Sequence, residues 1–272
     1  MDFSTIRSQL RPDGPVLDIH VHPLACFGPY SVASADEDAQ RLIASARRSG
    51  VTKMCLFSLG VGCPYEPTPE QCRDANDYAL AMRDAAPEVF LPFCYVTPAF
   101  PEEAIAEIDR CVQGEGMVGV KLWVARRATH PGLDSIMERA IVLDVPVLQH
   151  GWLKTTGNLP GESTPADVAA LGKRHPNAKI IMAHLNGAGY RGIEALVDAP
   201  NVTVDISGGD PESGMVELAV ARLGSHRVVY GSDAPIRHFG ITLGKTLGAD
   251  LSDQIKRDIL WNNAARLLSI HQ

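Results

Sequence analysis

Short apolar runs alternate along this chain with longer amphipathic stretches. Eight runs read as strands, at 15–22 (PVLDIHVH), 51–58 (VTKMCLFS), 89–96 (VFLPFCYV), 117–124 (MVGVKLWV), 145–150 (VPVLQH), 179–184 (KIIMAH), 202–207 (VTVDIS) and 227–232 (RVVYGS). Most are nearly continuous in apolar residues, the pattern of parallel strands covered on both faces. The intervening stretches carry helix signals. SADEDAQRLIASARRSG opens on small and acidic residues and closes on Gly50, a C-cap position. Thr68-Pro69-Glu70 and Thr164-Pro165 each set an N-cap threonine before a first-turn proline. PEEAIAEIDRCVQG and LDSIMERAIVLD space their apolar residues at helical intervals.

Eight strand–helix units with no break in composition predict one α/β domain over residues 1–272, a single (β/α)8 TIM barrel with parallel strands and its active site at the C-terminal face. A doubly wound open sheet is the main competitor. It would carry a glycine-rich phosphate loop after the first strand, and none is visible. GEGMVG at 114–119 precedes a strand, so its glycines read as helix-stop and turn residues. The longest loops, 23–35 and 59–68, follow strands 1 and 2, on the face where a barrel builds its site.

Composition narrows the function classes. The chain has 272 residues, 45% of them hydrophobic, enough for a large core. Its formal charge is −7 with no Lys/Arg run, which argues against nucleic acid and anionic membrane as partners and leaves a small-molecule substrate. No apolar run reaches the ~18 residues of a membrane span. MDFSTIRSQLRPDG lacks the apolar centre of a secretory leader. The six cysteines are scattered without a CxxC pair, so they read as reduced thiols of a cytoplasmic protein.

Histidine is a poor residue for a buried strand, yet the first strand ends on His20 and His22. Residues two apart on a strand share a face, so these rings and Asp18 are expected to aim together. The pair alone is compatible with ordinary hydrogen-bonded histidines. Three more strand ends change the reading: VPVLQH ends on His150, KIIMAH on His184, and RVVYGS runs into Asp233. Four strands thus deliver imidazole or carboxylate to one rim. Without a counter-charge that cluster is costly, and a divalent cation supplies one. The donors suit zinc and neighbouring first-row ions, and ligands drawn from several strands leave a coordination position open. Such an ion brings the pKa of a bound water toward ~7. His175 and His226 precede strands, on the opposite rim. His130 reads as a turn residue, His238 as a candidate substrate contact, and His271 is terminal.

The chain resembles the amidohydrolase superfamily, in particular the amidohydrolase-related group of small hydrolases and metal-dependent decarboxylases. The matching pieces are DIHVHPL, GVKLW, VPVLQHGW, PNAKIIMAHLNG, PNVTVDISG, RVVYGSDAP and ILWNNAARLL, which span nearly the whole chain. The resemblance implies that His20, His22, His150 and Asp233 bind metal, with Asp233 also taking a proton from the attacking water. It gives His184 either a second metal to ligate or an acid/base role that polarises substrate. Lys121 lies where some superfamily members carry a carboxylated lysine between two metals; otherwise it binds substrate or pairs with an acid. The ion is expected to be Zn(2+), with Mn(2+) as the alternative, in one or two copies. The superfamily's barrels commonly pair, which implies a homodimer.

Arg126, Arg127 and Arg237 follow strand ends, where a guanidinium can clamp an anionic substrate. Trp123 and Trp152 are candidate pocket walls. Cys26 and Cys63 sit on the two long loops, as metal-near thiols or as small hydrophobes. The leading expectation is hydrolysis of a C–O or C–N bond in an ester, lactone or amide of a small organic acid. The alternative is non-oxidative decarboxylation of an aromatic or unsaturated acid on the same ligands. A non-catalytic metal-binding protein is disfavoured by the complete His/His/His/His/Asp set.

Overall fold

A computed structural model of the protein describes residues 2, 11–27, 30–209 and 212–270; His271 and most of the segment inspected for a leader lie outside them. Eight strands form the centre: β1 (Leu17–Val21), β2 (Lys53–Leu56), β3 (Phe90–Tyr95), β4 (Gly119–Leu122), β5 (Val147–Gln149), β6 (Ile180–Met182), β7 (Val202–Asp205) and β8 (Val228–Val229). Each falls inside the run expected for it, and neighbours pair in parallel in chain order. The ring closes mostly beyond β8. Ile19 N–H donates to Tyr230 O (3.0 Å), His22 N–H to Ala234 O (2.7 Å) and Asp233 N–H to His20 O (2.8 Å). That stitching sets the end of β1 directly beside Asp233. The result is the (β/α)8 barrel expected from the sequence.

The helices follow from their caps. Ser34 accepts from Glu37 N–H at the start of α1 (Ala35–Ser49), and Gly50 ends it in the left-handed region at φ 91°. Thr68 and Thr164 form capping boxes at α2 (Pro69–Ala85) and α5 (Pro165–Arg174), each contributing about 1 kcal/mol. The others are α3 (Pro101–Ile108), α4 (Asp134–Val142), α6 (Leu185–Leu196), α7 (Met215–Leu223), α8 (Phe239–Leu247), α9 (Asp253–Arg257) and α10 (Asn263–Leu267). Among the described residues no helix is long and apolar enough to cross a membrane.

Strand alternation sorts the core into two clusters. Met54, Leu56, Val120, Leu122, Ile180, Met182, Val202 and Val204 pack outward with helix residues such as Leu42, Ala79, Ile108 and Val168. The positions between them, Cys55, Leu148, Ile181 and Val229, join Phe57 and Phe93 in a second cluster inside the ring. Each fully buried large apolar side chain contributes about 1.5–3 kcal/mol. Lys121 alternates with Val120 and Leu122, and Asp205 with Val204, so both polar residues face the interior, where burial is complete or nearly so.

Candidate active site

The C-terminal ends of the strands bring His20, His22, Lys121, His150, His184 and Asp233 to one cavity of about 210 Å³. His20 and His22 come from β1 and the residue after it. His150 and His184 lie just past β5 and β6, and Asp233 four residues past β8. His184 (φ 73°) and Asp233 (φ 60°) hold left-handed backbone conformations, uncommon outside glycine, so each is placed by a sharp turn rather than by strand alternation. Asp18, expected beside the two rings, instead accepts from the backbone N–H groups of His20 and Ser232 and ties β1 to the turn after β8.

Hydrogen bonds fix the imidazole tautomers. His20 Nδ1 donates to Asp205 Oδ2 at 2.8 Å, and His22 Nδ1 to Phe57 O at 3.0 Å. Their Nε2 lone pairs are therefore bare, and each lies 3.4 Å from Asp233 Oδ1. Three acceptors thus meet with no proton between them, and their ligand atoms lie within 4.8 Å of one another. A tetrahedral ion with bonds of about 2.0–2.1 Å sets its ligand atoms about 3.3–3.4 Å apart, so the donor set fits a divalent cation. Burial lowers the pKa of both rings, which keeps them neutral and ready to ligate.

A second meeting of lone pairs lies across the cavity. Ser207 Oγ donates to Asp205 Oδ1 and accepts from His184 Nδ1 (3.0 Å), leaving His184 Nε2 bare. His150 Nε2 donates to Glu162 Oε1 at 2.9 Å, leaving Nδ1 bare. These two nitrogens face each other at 3.2 Å. Burial lowers the pKa of His150 and His184 as well. Burial tends to raise the Glu162 carboxyl, but bonds from His150, Lys154 and Leu159 N–H prevail and hold it at about 2. Lys121 Nζ stands 4.6 Å from the Phe57 ring centroid, and burial brings its pKa down to about 7.

A sequence model of the amidohydrolase family matches residues 17–270. The chain belongs to the amidohydrolase family. Solved structures share its fold at low identity. A 2,6-dihydroxybenzoate decarboxylase from Rhizobium matches with TM-score 0.73 and 15% identity, covering 94% of this chain and 99% of its own. A 5-carboxyvanillate decarboxylase from Sphingomonas paucimobilis matches with TM-score 0.72 and 16% identity, covering 96% and 100%. A dihydroxybenzoic acid decarboxylase from Polaromonas, solved with manganese and 2-nitroresorcinol, matches with TM-score 0.73 and 18% identity, covering 94% and 97%. No curated protein sequence matches the chain. These names stand closer to the decarboxylase alternative than to the hydrolase expectation.

The remaining candidates separate by position. Trp123, Trp152 and Arg237 line the cavity with Phe27, Leu59 and Tyr65. The Trp152 ring lies 4.8 Å from the His184 ring, centroid to centroid. It also sits against Gly187, where a Cβ would come within 2.7 Å of the indole. Arg126 does not line the cavity; it is drawn to Glu66 at 2.9 Å. His238 caps α8 by accepting from Gly240 N–H and borders a neighbouring groove. Arg127 bonds Glu162 O, and His130 accepts from Gly132 N–H in a turn. Cys26 and Cys63 stay outside the cavity wall.

Sequence reasoning passed over Asp205, Ser207 and Glu162. Asp205 ends the apolar run VTVD, the same signal that pointed to His150 and His184. Glu162 lies in a loop without periodicity, and nothing in the sequence marks it.

Proposed function

We propose that this amidohydrolase is a metal-dependent, non-oxidative decarboxylase of a small aromatic or unsaturated acid. One observation carries the reading: an aromatic-walled cavity of about 210 Å³ lies over His20, His22 and Asp233. Pockets for drug-sized ligands run to about 300–1,000 Å³, so this one suits a single ring. Phe27, Tyr65, Trp123 and Trp152 offer flat apolar walls. Arg237, whose side chain has no polar partner among the described residues, suits an anionic group. The named neighbours act on 2,6-dihydroxybenzoate, 5-carboxyvanillate and a dihydroxybenzoic acid, which agrees with a ring of that size.

His20, His22 and Asp233 would hold the divalent ion, zinc or manganese, and His150 with His184 offers a second position. When bound, the ion supplies Lewis acidity toward the substrate's carboxylate oxygens. The protein's own groups do the rest. The walls hold the ring, and Arg237 takes its outer anionic group. Asp233 Oδ2, the oxygen not engaged by His20 and His22, passes a proton to the ring carbon bearing the carboxylate. The electron pair of the C–C bond then returns to the ring as carbon dioxide leaves. Proton transfer of this kind contributes about 10²–10⁴-fold.

Hydrolysis of an ester, lactone or amide is the second reading, and one observation favours it. The facing nitrogens of His150 and His184 would hold a second ion, and the buried Lys121, which lines the same cavity, would be the residue to carry a carboxylate for it. In that case Asp233 accepts a proton from water instead of giving one to carbon.

The test combines metal counting, the intact mass for a carbamate on Lys121, and product analysis with hydroxybenzoates, lactones and esters. Release of carbon dioxide with one ion per chain is expected. A new carboxylate carrying solvent oxygen, with two ions and a carbamate, would replace decarboxylation with hydrolysis.

A further inference from the structure

All six cysteines are free thiols, and two of them differ from the rest. Cys55, Cys72, Cys94 and Cys111 are buried on strands or helices. Cys26 ends the turn Leu24–Cys26 after β1, and Cys63 lies on the loop after β2 in a left-handed conformation at φ 47°. Cys63 Sγ donates to Cys26 O at 3.2 Å, so the two residues are in direct contact. Cys26 Sγ stands 3.3 Å from Ser58 Oγ, within hydrogen-bond reach.

This cradle treats the two sulfurs differently. The Cys63 thiol, Ser58 and Leu59 stabilise a Cys26 thiolate and pull that group below the usual thiol range, against the effect of burial. The neighbouring Cys26, with burial, pushes Cys63 up. Cys26 is buried, whereas Cys63 is only half-buried and opens the pair to a small oxidant. Elsewhere burial raises Cys55, Cys72 and Cys94 and leaves them inert. The pair also occupies a consequential place. Phe27, next to Cys26, and Leu59 and Tyr65, on either side of Cys63, are walls of the active-site cavity.

We propose that Cys26 and Cys63 form a peroxide-sensitive thiol pair whose disulfide clasps the two loops at the mouth of the active site. The Cys26 thiolate attacks one oxygen of a hydroperoxide; the O–O bond breaks, water or an alcohol leaves, and a sulfenic acid remains. The Cys63 sulfur then attacks the Cys26 sulfur, the S–O bond breaks, and a second water departs with the Cys63 proton. Two thiols lose two electrons, the peroxide gains them, and the S–S bond closes. A cellular dithiol reverses the step. The modification stands whichever reaction the site performs.

The test uses zinc-loaded protein, because zinc is redox-inert. Hydrogen peroxide is added in slight molar excess, free thiols are blocked with N-ethylmaleimide, and the protein is digested without reduction. A peptide joined through Cys26 and Cys63, lost on adding dithiothreitol, is expected. In Cys63→Ser, the sulfenic acid on Cys26 is expected to be trapped by dimedone. Substrate turnover should fall as the link forms and return on reduction, while Cys63→Ser keeps its turnover under peroxide. Oxidation with no Cys26–Cys63 link, or a link that leaves turnover unchanged, would overturn the clasp. The link is read by mass, so its failure is distinct from failure of the decarboxylase reading, which product analysis decides.

Discussion

The two halves of the candidate active site use the same side chains to different effect. On the β1/β8 side, His20 and His22 turn bare nitrogens toward a carboxylate that stands in front of them. On the β5/β6 side, His150 and His184 turn bare nitrogens toward each other, and the carboxylate, Glu162, stands behind the His150 ring. The first half carries its own negative charge at the meeting point. The second offers only neutral nitrogens and must borrow an anionic ligand, from a carboxylated Lys121 or from the substrate. The supply of imidazole therefore does not decide where a cation is held; the side of the ring on which the carboxylate lies decides it.

The strongest way to break this contrast is at Asp233. Asp233→Asn keeps the shape but removes the charge and the oxygen that passes the proton, so turnover should drop by about 10²–10⁴-fold with the melting temperature of the metal-free protein little changed. Near-normal turnover would end the assignment.

Lys121 is the cation that both halves feel, since its charge acts on His20, His22, His150 and His184. Its folded pKa, about 7, lies below the ordinary value of 10.5, so the unfolded chain binds more protons between those limits. Stability of the metal-free protein should therefore rise with pH from about 7 to 10.5, by at most about 5 kcal/mol. Denaturant titrations of wild type and Lys121→Met check this, and the variant should lose that slope. The four histidines act in the same direction at lower pH. Their folded pKa values are depressed, so stability and metal occupancy should fall as pH drops below about 6.5, read by calorimetry and by metal content after dialysis.

Asp205 and Glu162 compare the halves through their supporting carboxylates. Asp205→Asn weakens the hold on His20 and on the His184 backbone, and should cost about 10–100-fold in metal affinity. Among the four histidines Glu162→Gln touches only His150, and its effect on the first ion should be smaller, under about tenfold. Competition with a chelator measures both. Equal losses would erase the distinction between the halves.

The order of strands was legible because parallel strands covered on both faces leave unbroken apolar runs, as in KIIMAH and VTVDIS. Thr68, Thr164 and Gly50 announced helix ends through the backbone groups they satisfy or the conformation they allow. The strands themselves are shorter than the apolar runs, because the last residues turn away to carry His150, His184 and Asp233. Alternation could not orient residues that sit in left-handed turns, nor foresee that Asp18 would be spent on backbone N–H groups. Asp205 and Lys121 show the converse: on β7 and β4 alternation holds, and each faces inward because its neighbours face the helices. Glu162 reaches His150 from a loop that packs against the segment following β4, at Val124, Arg127 and Ala128, a tertiary event with no local sequence trace. Arg126 failed as a pocket residue for a similar reason, since Glu66 on another loop captures it.

Gly187 does not line the cavity, yet the indole of Trp152 rests where its missing side chain would be. The breadth of the slot is thus written one layer back, at a bare backbone position. A bulkier residue there would press on the indole and reshape the cavity wall without touching the histidines or Asp233. Divergence in substrate preference among such barrels can begin at a residue of this kind, beyond the reach of any inventory of contacts.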